Sequence, residues 1–188
     1  MQHEFLMAGF GGQGILFLGD ILARAAMLQG LQTTYMPTYG VAMRGGTANC
    51  VVRISDTSIG SPLLEAPDAA IILNQQSFDK FLPLLRPDGL IIVNSSMIKS
   101  AEDNVATGIR AVCLPATAIA REAVGTEQST NMVALGAFLA ADTTIAYATI
   151  EAIFDKERNP AKQKLVETNK AAIQAGMNHV RQEGSAKA

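Results

Sequence analysis

The stretch "EFLMAGFGGQGILFLGDILARAAMLQG", residues 4–30, combines an apolar run, a glycine-rich turn and a helical pattern. The apolar run before the turn is typical of a central strand that helices cover on both faces. After the turn, a stripe with helical spacing ends at Gly30, which predicts a helix with a glycine C-cap. The stripe consists of Ile15, Leu18, Leu22, Ala25, Ala26 and Gln29. A strand that leads through glycines into a helix predicts a Rossmann-like α/β fold.

The remaining chain alternates between strand and helix patterns. We predict that "LQTTYM" (31–36) is a second strand that completes a first βαβ unit. The alternating polarity of "TANCVVRIS" (47–55) predicts a half-exposed strand. Further strands are predicted at "AAIIL" (69–73), "GLIIV" (89–93) and "RAVCL" (110–114). The pattern is then helical, and Asn159 and Pro160 are typical of the N-cap and first position of a final helix.

This alternation predicts an α/β fold: a single Rossmann-like domain with a mainly parallel sheet flanked by helices and a helical C-terminal segment. We predict that residues 1–183 form this one domain, because 188 residues fit one core and no linker is visible. The tail "GSAKA", residues 184–188, is expected to be disordered.

The composition argues against several classes of protein. Hydrophobic residues make up 48% of the chain and charged residues 17%, which predicts an apolar surface that contacts a partner. The formal net charge of −2 argues against nucleic-acid binding. The start "MQHEFLMAGF" lacks the basic segment of a signal peptide, and the apolar stretch "MVALGAFLAA" is too short to span a bilayer. We therefore expect a cytoplasmic protein without membrane contact.

The cysteine content argues against a metal site. Cys50 and Cys113 are the only cysteines, and they form no C-x-x-C motif. Iron–sulfur clusters and structural zinc sites usually need four protein ligands, so we expect no metal site built by this chain alone. His3 and His179 do not change that expectation. No paired nucleophile and base is visible, so we expect no catalytic residue.

The turn "GFGGQG" (9–14) matches G-x-G-x-x-G, the fingerprint of dinucleotide-binding loops. Such glycines let a ligand approach the backbone and direct helix N–H groups at it, which suits a phosphate or another anion. NAD binding also needs an acidic residue about 20 positions later to bind the ribose hydroxyls. No acidic residue lies between Asp20 and Asp56. The interval instead contains Arg24, Arg44 and Arg53. Conventional NAD binding is therefore disfavoured, while a purely structural role of the glycines remains an alternative.

A second glycine-rich segment, "PTYGVAMRGGTANC" (37–50), overlaps the start of the alternating strand. Gly45 and Gly46 free the backbone to expose N–H groups, and Arg44 offers a planar fork of donors for a phosphate or carboxylate. We expect both glycine segments at the carboxyl-end crevice where α/β sheets bind ligands. The candidate cofactor-binding residues are Gly9, Gly11, Gly12, Gln13, Gly14, Tyr39, Arg44, Gly45, Gly46, Thr47 and Asn49.

Four stretches of the chain share their pattern with one enzyme family. They are "GFGGQG" (9–14), "YGVAMRGGTANC" (39–50), "IGSP" (59–62) with "PDAAIILNQQSFDKF" (67–81), and "TNMVALGAF" (130–138). In these stretches the chain resembles the gamma subunit of 2-oxoacid:ferredoxin (acceptor) oxidoreductases, whose substrates include pyruvate, 2-oxoglutarate and ketoisovalerate. One departure is Ala42, where the family often has a glutamate.

The resemblance implies a non-catalytic subunit of a multi-subunit oxidoreductase. Such enzymes decarboxylate a 2-oxoacid oxidatively on thiamine diphosphate, transfer the acyl group to coenzyme A and pass electrons through iron–sulfur clusters to ferredoxin. The implied partners are alpha and beta subunits, and a ferredoxin-like delta subunit where present. Thiamine diphosphate, Mg²⁺ and the clusters are expected in other chains. The gamma-type chain is expected to be a docking module that helps to hold coenzyme A, and 2-oxoglutarate is the favoured substrate.

Three alternatives remain open from the sequence. The corresponding subunit of an indolepyruvate oxidoreductase has the same domain. A free-standing NAD(P)-dependent dehydrogenase is disfavoured by the missing acidic residue, and a structural scaffold would bind no ligand. Without its partners the chain is expected to self-associate, with a homodimer as one form, because its apolar excess would lack a partner surface.

Overall fold

The structure of the protein is a computed structural model that describes residues 1–40, 46–99 and 101–186. The strands are β1 (Gln2–Phe10), β2 (Gln32–Tyr39), β3 (Thr47–Ser55), β4 (Ala69–Ile72), β5 (Leu90–Asn94) and β6 (Arg110–Leu114). The helices are α1 (Ile15–Leu28), α2 (Gln75–Phe81), α3 (Ala101–Asn104), α4 (Ala116–Val124), α5 (Thr130–Ala141), α6 (Tyr147–Asp155) and α7 (Pro160–Ala186). Short 3₁₀ turns lie at Leu82–Leu84 and Glu127–Ser129.

The strands form one mixed sheet in the order β2-β3-β1-β4-β5-β6. β1, β4, β5 and β6 pair in parallel, which confirms the predicted α/β class with a mainly parallel sheet. β3 is antiparallel to β1, and β2 is antiparallel to β3. β2 therefore runs parallel to β1, and the predicted first βαβ unit is present as a split unit, with β3 inserted between its two strands. The mostly buried β3 lies between β2 and β1, and the polar, mostly exposed β2 is left at the edge.

The two faces of the sheet carry separate apolar cores. On one face, Phe5 and Met7 of β1 pack with residues of α1, α4, α5, α6 and α7. On the other face, Leu6 and Ala8 pack with residues of α2 and α3. β1 is thus covered by helices on both faces, as its apolar sequence predicts.

Helix α1 buries the predicted stripe of apolar residues against the sheet. Its C-cap is Gln29, and Gly30 follows in the left-handed conformation with φ of 81°. The C-cap therefore lies one residue before the position that the sequence predicts for it. The glycine still has the predicted role, since other residues adopt this conformation at a cost.

β3 is buried along most of its length, so the prediction of a half-exposed strand is wrong. Arg53, only 4% exposed, forms an ion pair with the buried Glu4 of the neighbouring strand. Arg53 Nη1 also donates to Ser61 O at 2.9 Å, and Glu65 N donates to Glu4 Oε1 at 2.9 Å. The alternating polar residues predict an exposed face, but the charges on that face are paired and lie beneath the segment of residues 56–68. Pairing allows charged side chains to be buried.

Helices α5 and α7 approach each other closely through two glycines. A Cβ atom at Gly136 would lie 2.0 Å from Ile173 O, and one at Gly176 would lie 2.0 Å from Val133 O. Any larger residue at either position would force the helices apart. This contact fixes α5, whose first turn lies at the candidate site.

The last helix begins as predicted. Asn159 Oδ1 accepts a hydrogen bond from Ala161 N at 3.0 Å, and Pro160 is the first helical residue, which confirms the predicted cap. The helix includes residues 184–186 of the segment expected to be disordered. The boundary of the single domain at residue 183 stays a prediction.

Strand β2 pairs with β3 along one side, and no strand of the described residues pairs with its other side, the free edge. Gly40 N donates to Thr47 O at 2.9 Å, so every second residue of β2 from this position directs its backbone groups to β3. Pro37, opposite Cys50, belongs to the alternate set and faces the free edge. Pro37 therefore removes one N–H from that edge.

Candidate functional site

The glycine loop, residues 9–14, joins the carboxyl end of β1 to the first turn of α1. Gln13 closes the loop, because its backbone N donates to Phe10 O at 3.1 Å and its Oε1 accepts from Phe10 N at 2.6 Å. Gly14 is the N-cap of α1 in the left-handed conformation, with φ of 71°. The first backbone N–H groups of a helix have no partner within it, so the loop exposes donors suited to an anion.

The glycines of the loop are required for different reasons. A Cβ atom at Gly9 would lie 2.5 Å from Gln13 Oε1, and one at Gly14 would lie 2.3 Å from Asn131 Nδ2. These two positions allow close packing. Gly12 has φ of 95°, and no described residue lies within 4 Å of a Cβ position there. The described residues therefore leave the backbone of Gly12 open to the approach of a ligand.

The structure brings the second glycine segment against the first. Gly11 N donates to Gly46 O at 2.9 Å, and Thr47 pairs with Phe10 in the sheet. The antiparallel direction of β3 explains this contact, because its first residue lies beside the last residue of β1. Arg44 and Gly45, which the sequence also assigned to the site, lie outside the described residues.

The other candidate residues lie on opposite faces of the sheet. Ala48 belongs to the core under α1, so its neighbours Thr47 and Asn49 face the side of α2. Tyr39 pairs with Ala48, which places its ring on the α1 side, where it is 70% exposed. Tyr39 therefore does not lie on the same side of the sheet as Thr47 and Asn49.

Two of the arginines between Asp20 and Asp56 do not supply charge to the glycine loop. Arg24 Nη1 lies 3.4 Å from Asp20 Oδ2, one turn earlier in α1. Arg53 is paired with Glu4, as described above. The charges of Arg24 and Arg53 are therefore offset by carboxylates away from the loop. Arg44 is the arginine of this group that remains a candidate for the site.

Two buried asparagines at this edge of the sheet were missed as site residues by sequence reasoning. Asn131 Nδ2, from the first turn of α5, donates to Gly14 O at 3.2 Å. Asn74 caps α2 by accepting from Ser77 N at 2.8 Å, and its Nδ2 has no hydrogen-bond partner among the described residues. The available signal was a polar residue at the start of an otherwise apolar helix, in "TNMVALGAF".

Two titratable groups lie beneath the first turn of α1. Cys50 Sγ donates to Ile15 O at 3.4 Å, and burial raises the pKa of this thiol to about 12. Tyr35 Oη donates to Leu16 O at 3.1 Å, and burial raises the pKa of its hydroxyl to about 12. Both groups are neutral at physiological pH, so Cys50 is a packing residue rather than a nucleophile.

In the part of the chain that the structure describes, no group of three or more His, Cys, Asp or Glu side chains could hold a metal ion. Within the same residues, no helix has both the length and the apolar character needed to cross a membrane. The geometry at the glycine loop supports binding of an anionic group by backbone donors.

Comparisons with known proteins agree with the fold. The model of the pyruvate ferredoxin/flavodoxin oxidoreductase family matches residues 4–179. The chain is similar to the ketoisovalerate oxidoreductase subunit VorA of Methanothermobacter thermautotrophicus, with 36% identity over 178 residues, 94% of this chain and 36% of VorA. The 2-oxoglutarate synthase subunit KorC of the same organism is 33% identical over 180 residues, 94% of each chain.

A solved structure has the same fold. The gamma subunit of a keto/oxoacid ferredoxin oxidoreductase from Geobacter sulfurreducens PCA superposes with a TM-score of 0.78 and 30% identity. The match covers 96% of this chain and 99% of the Geobacter chain. The chain thus spans about a third of the length of VorA, but nearly all of KorC and of the Geobacter subunit.

Proposed function

This chain belongs to the pyruvate ferredoxin/flavodoxin oxidoreductase family, and we propose that it is the gamma subunit of a 2-oxoacid:ferredoxin oxidoreductase. The observation that carries the proposal is the match to KorC and to the Geobacter gamma subunit over nearly the full length of each chain. The proposed partners are alpha and beta subunits and a ferredoxin-like delta subunit, in the cytoplasm. Thiamine diphosphate, Mg²⁺ and iron–sulfur clusters belong to those partners.

We assign this chain no catalytic residue. The glycine loop and its described neighbours offer glycines, amides and hydroxyls, which bind and orient a ligand; a hydroxyl attacks a carbonyl only where an adjacent base activates it. The neutral Cys50 thiol supports this assignment. The chain contributes a docking surface and a binding loop, and the 2-oxoacid reacts in other subunits.

The glycine loop is assigned to coenzyme A, whose diphosphate is an anion of suitable size. Gly12 leaves the backbone open to approach, and the first turn of α1 adds N–H donors and the positive end of the helix dipole. No carboxylate occurs between Asp20 and Asp56 to repel the diphosphate or to bind the ribose of NAD. Arg44 is proposed as the charged partner of the same ligand.

The favoured 2-oxoacid is 2-oxoglutarate, because KorC corresponds to this chain from end to end whereas VorA is about three times longer. The test is to purify the chain with its native partners and measure coenzyme A-dependent ferredoxin reduction with four 2-oxoacids. 2-Oxoglutarate should give the highest kcat/KM, ahead of ketoisovalerate, pyruvate and indolepyruvate. A higher kcat/KM for another acid would contradict the assignment of 2-oxoglutarate as substrate. The absence of any reaction with the four acids would contradict the proposed oxidoreductase activity.

The role of the glycine loop is tested by a matched pair of glycine variants. Gly12 and Gly30 both have positive φ, 95° and 81°, and no described residue lies within 4 Å of a Cβ atom at either, so alanine introduces similar strain at each. They lie at opposite ends of α1, about 20 Å apart. Gly12→Ala should raise the KM for coenzyme A about tenfold in the assembled enzyme, as expected for one lost charge-assisted hydrogen bond. Gly30→Ala should leave this KM unchanged.

A third variant addresses Arg44 in the same assay. Arg44→Ala should raise the KM for coenzyme A about ten- to a hundredfold, and Arg44→Lys should recover part of the loss because lysine lacks the planar fork. The KM for the 2-oxoacid should change less. If neither Gly12→Ala nor Arg44→Ala changes the KM for coenzyme A, the two glycine segments are a structural scaffold and this assignment is wrong.

A further inference from the structure

A buried amide from a distant part of the chain contacts the glycine loop. Asn131 is 5% exposed, and its Nδ2 donates to Gly14 O across a separation of 117 residues. The same carbonyl accepts from Leu18 N at 3.0 Å, within the first turn of α1. Asn131 Oδ1 accepts from Met132 N at 2.9 Å, in the first turn of α5. One amide therefore connects the first turns of two helices.

The shape of the loop fits this amide closely. Gly14 adopts φ of 71° and ψ of 23°, and a Cβ atom there would lie 2.3 Å from Asn131 Nδ2. The amide thus occupies the space that a side chain at position 14 would need. Because Gly14 is the N-cap of α1, its conformation determines where the N–H groups of the first turn are directed.

The helix that carries Asn131 is itself fixed. Gly136 packs against the backbone of Ile173 in α7, and Gly176 of α7 packs against the backbone of Val133 in α5. A rigid donor restricts the movement of the group that it binds. The glycine loop is therefore held from one side by its own turn and from the other by α5.

We infer that Asn131 is a positioning residue that presets the glycine loop for its anionic ligand. The identity of that ligand, coenzyme A, rests on the proposed function. The effect of Asn131 on the loop does not depend on it. One N–H of the Asn131 amide is used by Gly14 O and the side chain is only 5% exposed, so we assign Asn131 a positioning role rather than a direct contact with the ligand. Its contribution is to remove the need to order the loop on binding, which improves affinity.

The experiment measures the loop and the ligand separately. In the isolated chain, amide hydrogen exchange is followed by NMR at Gln13 and Leu18, whose N–H groups donate to Phe10 O and Gly14 O. Asn131→Ala should speed exchange at both amides about tenfold, because the loop opens more often. In the assembled enzyme, it should raise the KM for coenzyme A about three- to tenfold with little change in kcat.

Two further variants make the result specific. Asn131→Asp keeps the acceptor for Met132 N and loses the donor to Gly14 O, so it should speed exchange even if Asn131→Ala does not fold. Thr130→Val is the matched control: this neighbour is also buried and hydrogen-bonded, but to Glu127 rather than to the loop. Thr130→Val should change neither the exchange at Gln13 nor the KM for coenzyme A.

The outcomes separate the inference from the proposed function. Unchanged exchange at Gln13 and Leu18 in the Asn131 variants would overturn the inference, as would equal effects of Thr130→Val. A KM that rises with Gly12→Ala but not with Asn131→Ala would overturn the positioning role while leaving the coenzyme A site intact. A third outcome is faster amide exchange in the Asn131 variants while neither Gly12→Ala nor Asn131→Ala changes the KM for coenzyme A. That result would support the effect of Asn131 on the loop and contradict the assignment of the loop to coenzyme A.

Discussion

Cys50 illustrates how one buried side chain makes stability depend on pH. Burial raises the pKa of its thiol from 9.0 to about 12, so the folded state keeps the proton while the unfolded chain loses it. The protonated thiol therefore contributes fully to the stability of the folded state below about pH 9, and this contribution is lost as the pH rises towards about 12.

We therefore expect the free energy of unfolding to fall above pH 9, by at most about 1.4 kcal/mol per pH unit for this one thiol. Cys50→Ala should remove that part of the slope. Urea unfolding of both proteins over the same pH range measures the difference. Burial also raises the pKa of the Tyr35 hydroxyl, which therefore adds to the pH dependence of both proteins. The effect of Cys50 is the difference between the slope of the unmodified chain and that of Cys50→Ala. Equal slopes would show that Cys50 is accessible to water.

At the scale of elements, the Glu4–Arg53 ion pair joins β1 and β3 in the buried part of the sheet. Arg53→Met leaves the Glu4 carboxylate buried without its main partner and should lower the free energy of unfolding by about 3 kcal/mol. The double variant Glu4→Leu, Arg53→Met should lose less than Arg53→Met alone, because no charge remains unpaired. Urea denaturation measures both values, and a double variant at least as unstable as the single one would contradict the expectation.

Most elements could be predicted from the sequence, because they depend on local patterns. The runs at 69–73, 89–93 and 110–114 correspond to strands, and Asn159 caps the final helix. The neighbours of β2 and β3 could not be predicted, since an antiparallel hairpin and a βαβ unit use the same strand patterns. The burial of β3 was missed because an ion pair between strands allows polar residues inside.

The candidate site was predictable only in part. The glycine loop is recognisable by the spacing of its glycines, and the sequence predicts that both glycine segments lie at the same edge of the sheet. The hydrogen bond from Gly11 N to Gly46 O joins them there. Asn131 could not be assigned to the loop, because a contact across 117 residues depends on how α5 packs. The pairing of Arg53 with Glu4 could not be predicted for the same reason, since it depends on the register of β1 and β3.

At the scale of the whole molecule, a cavity lies between α1, α6 and α7, and Phe17, Ile153 and Leu165 are among the residues that line it. Two of these apolar side chains, Phe17 and Leu165, are exposed. We expect the isolated chain to self-associate through this surface. Leu165→Glu should shift it towards the monomer in analytical ultracentrifugation. Leu63→Glu is the matched control, because Leu63 is 58% exposed and Leu165 57%, and Leu63 does not line this cavity. A monomeric unmodified chain at high concentration would contradict the expectation.

The free edge of β2 has a consequence for how copies of this protein can meet. An uninterrupted sheet edge is a template on which identical chains add strand to strand and grow into amyloid-like fibres. Pro37 interrupts the outward row of donors, so an added strand would lose a hydrogen bond in the middle of its length. We therefore expect that the self-association predicted above uses contacts between side chains, which saturate at a finite size, rather than unlimited pairing of backbones.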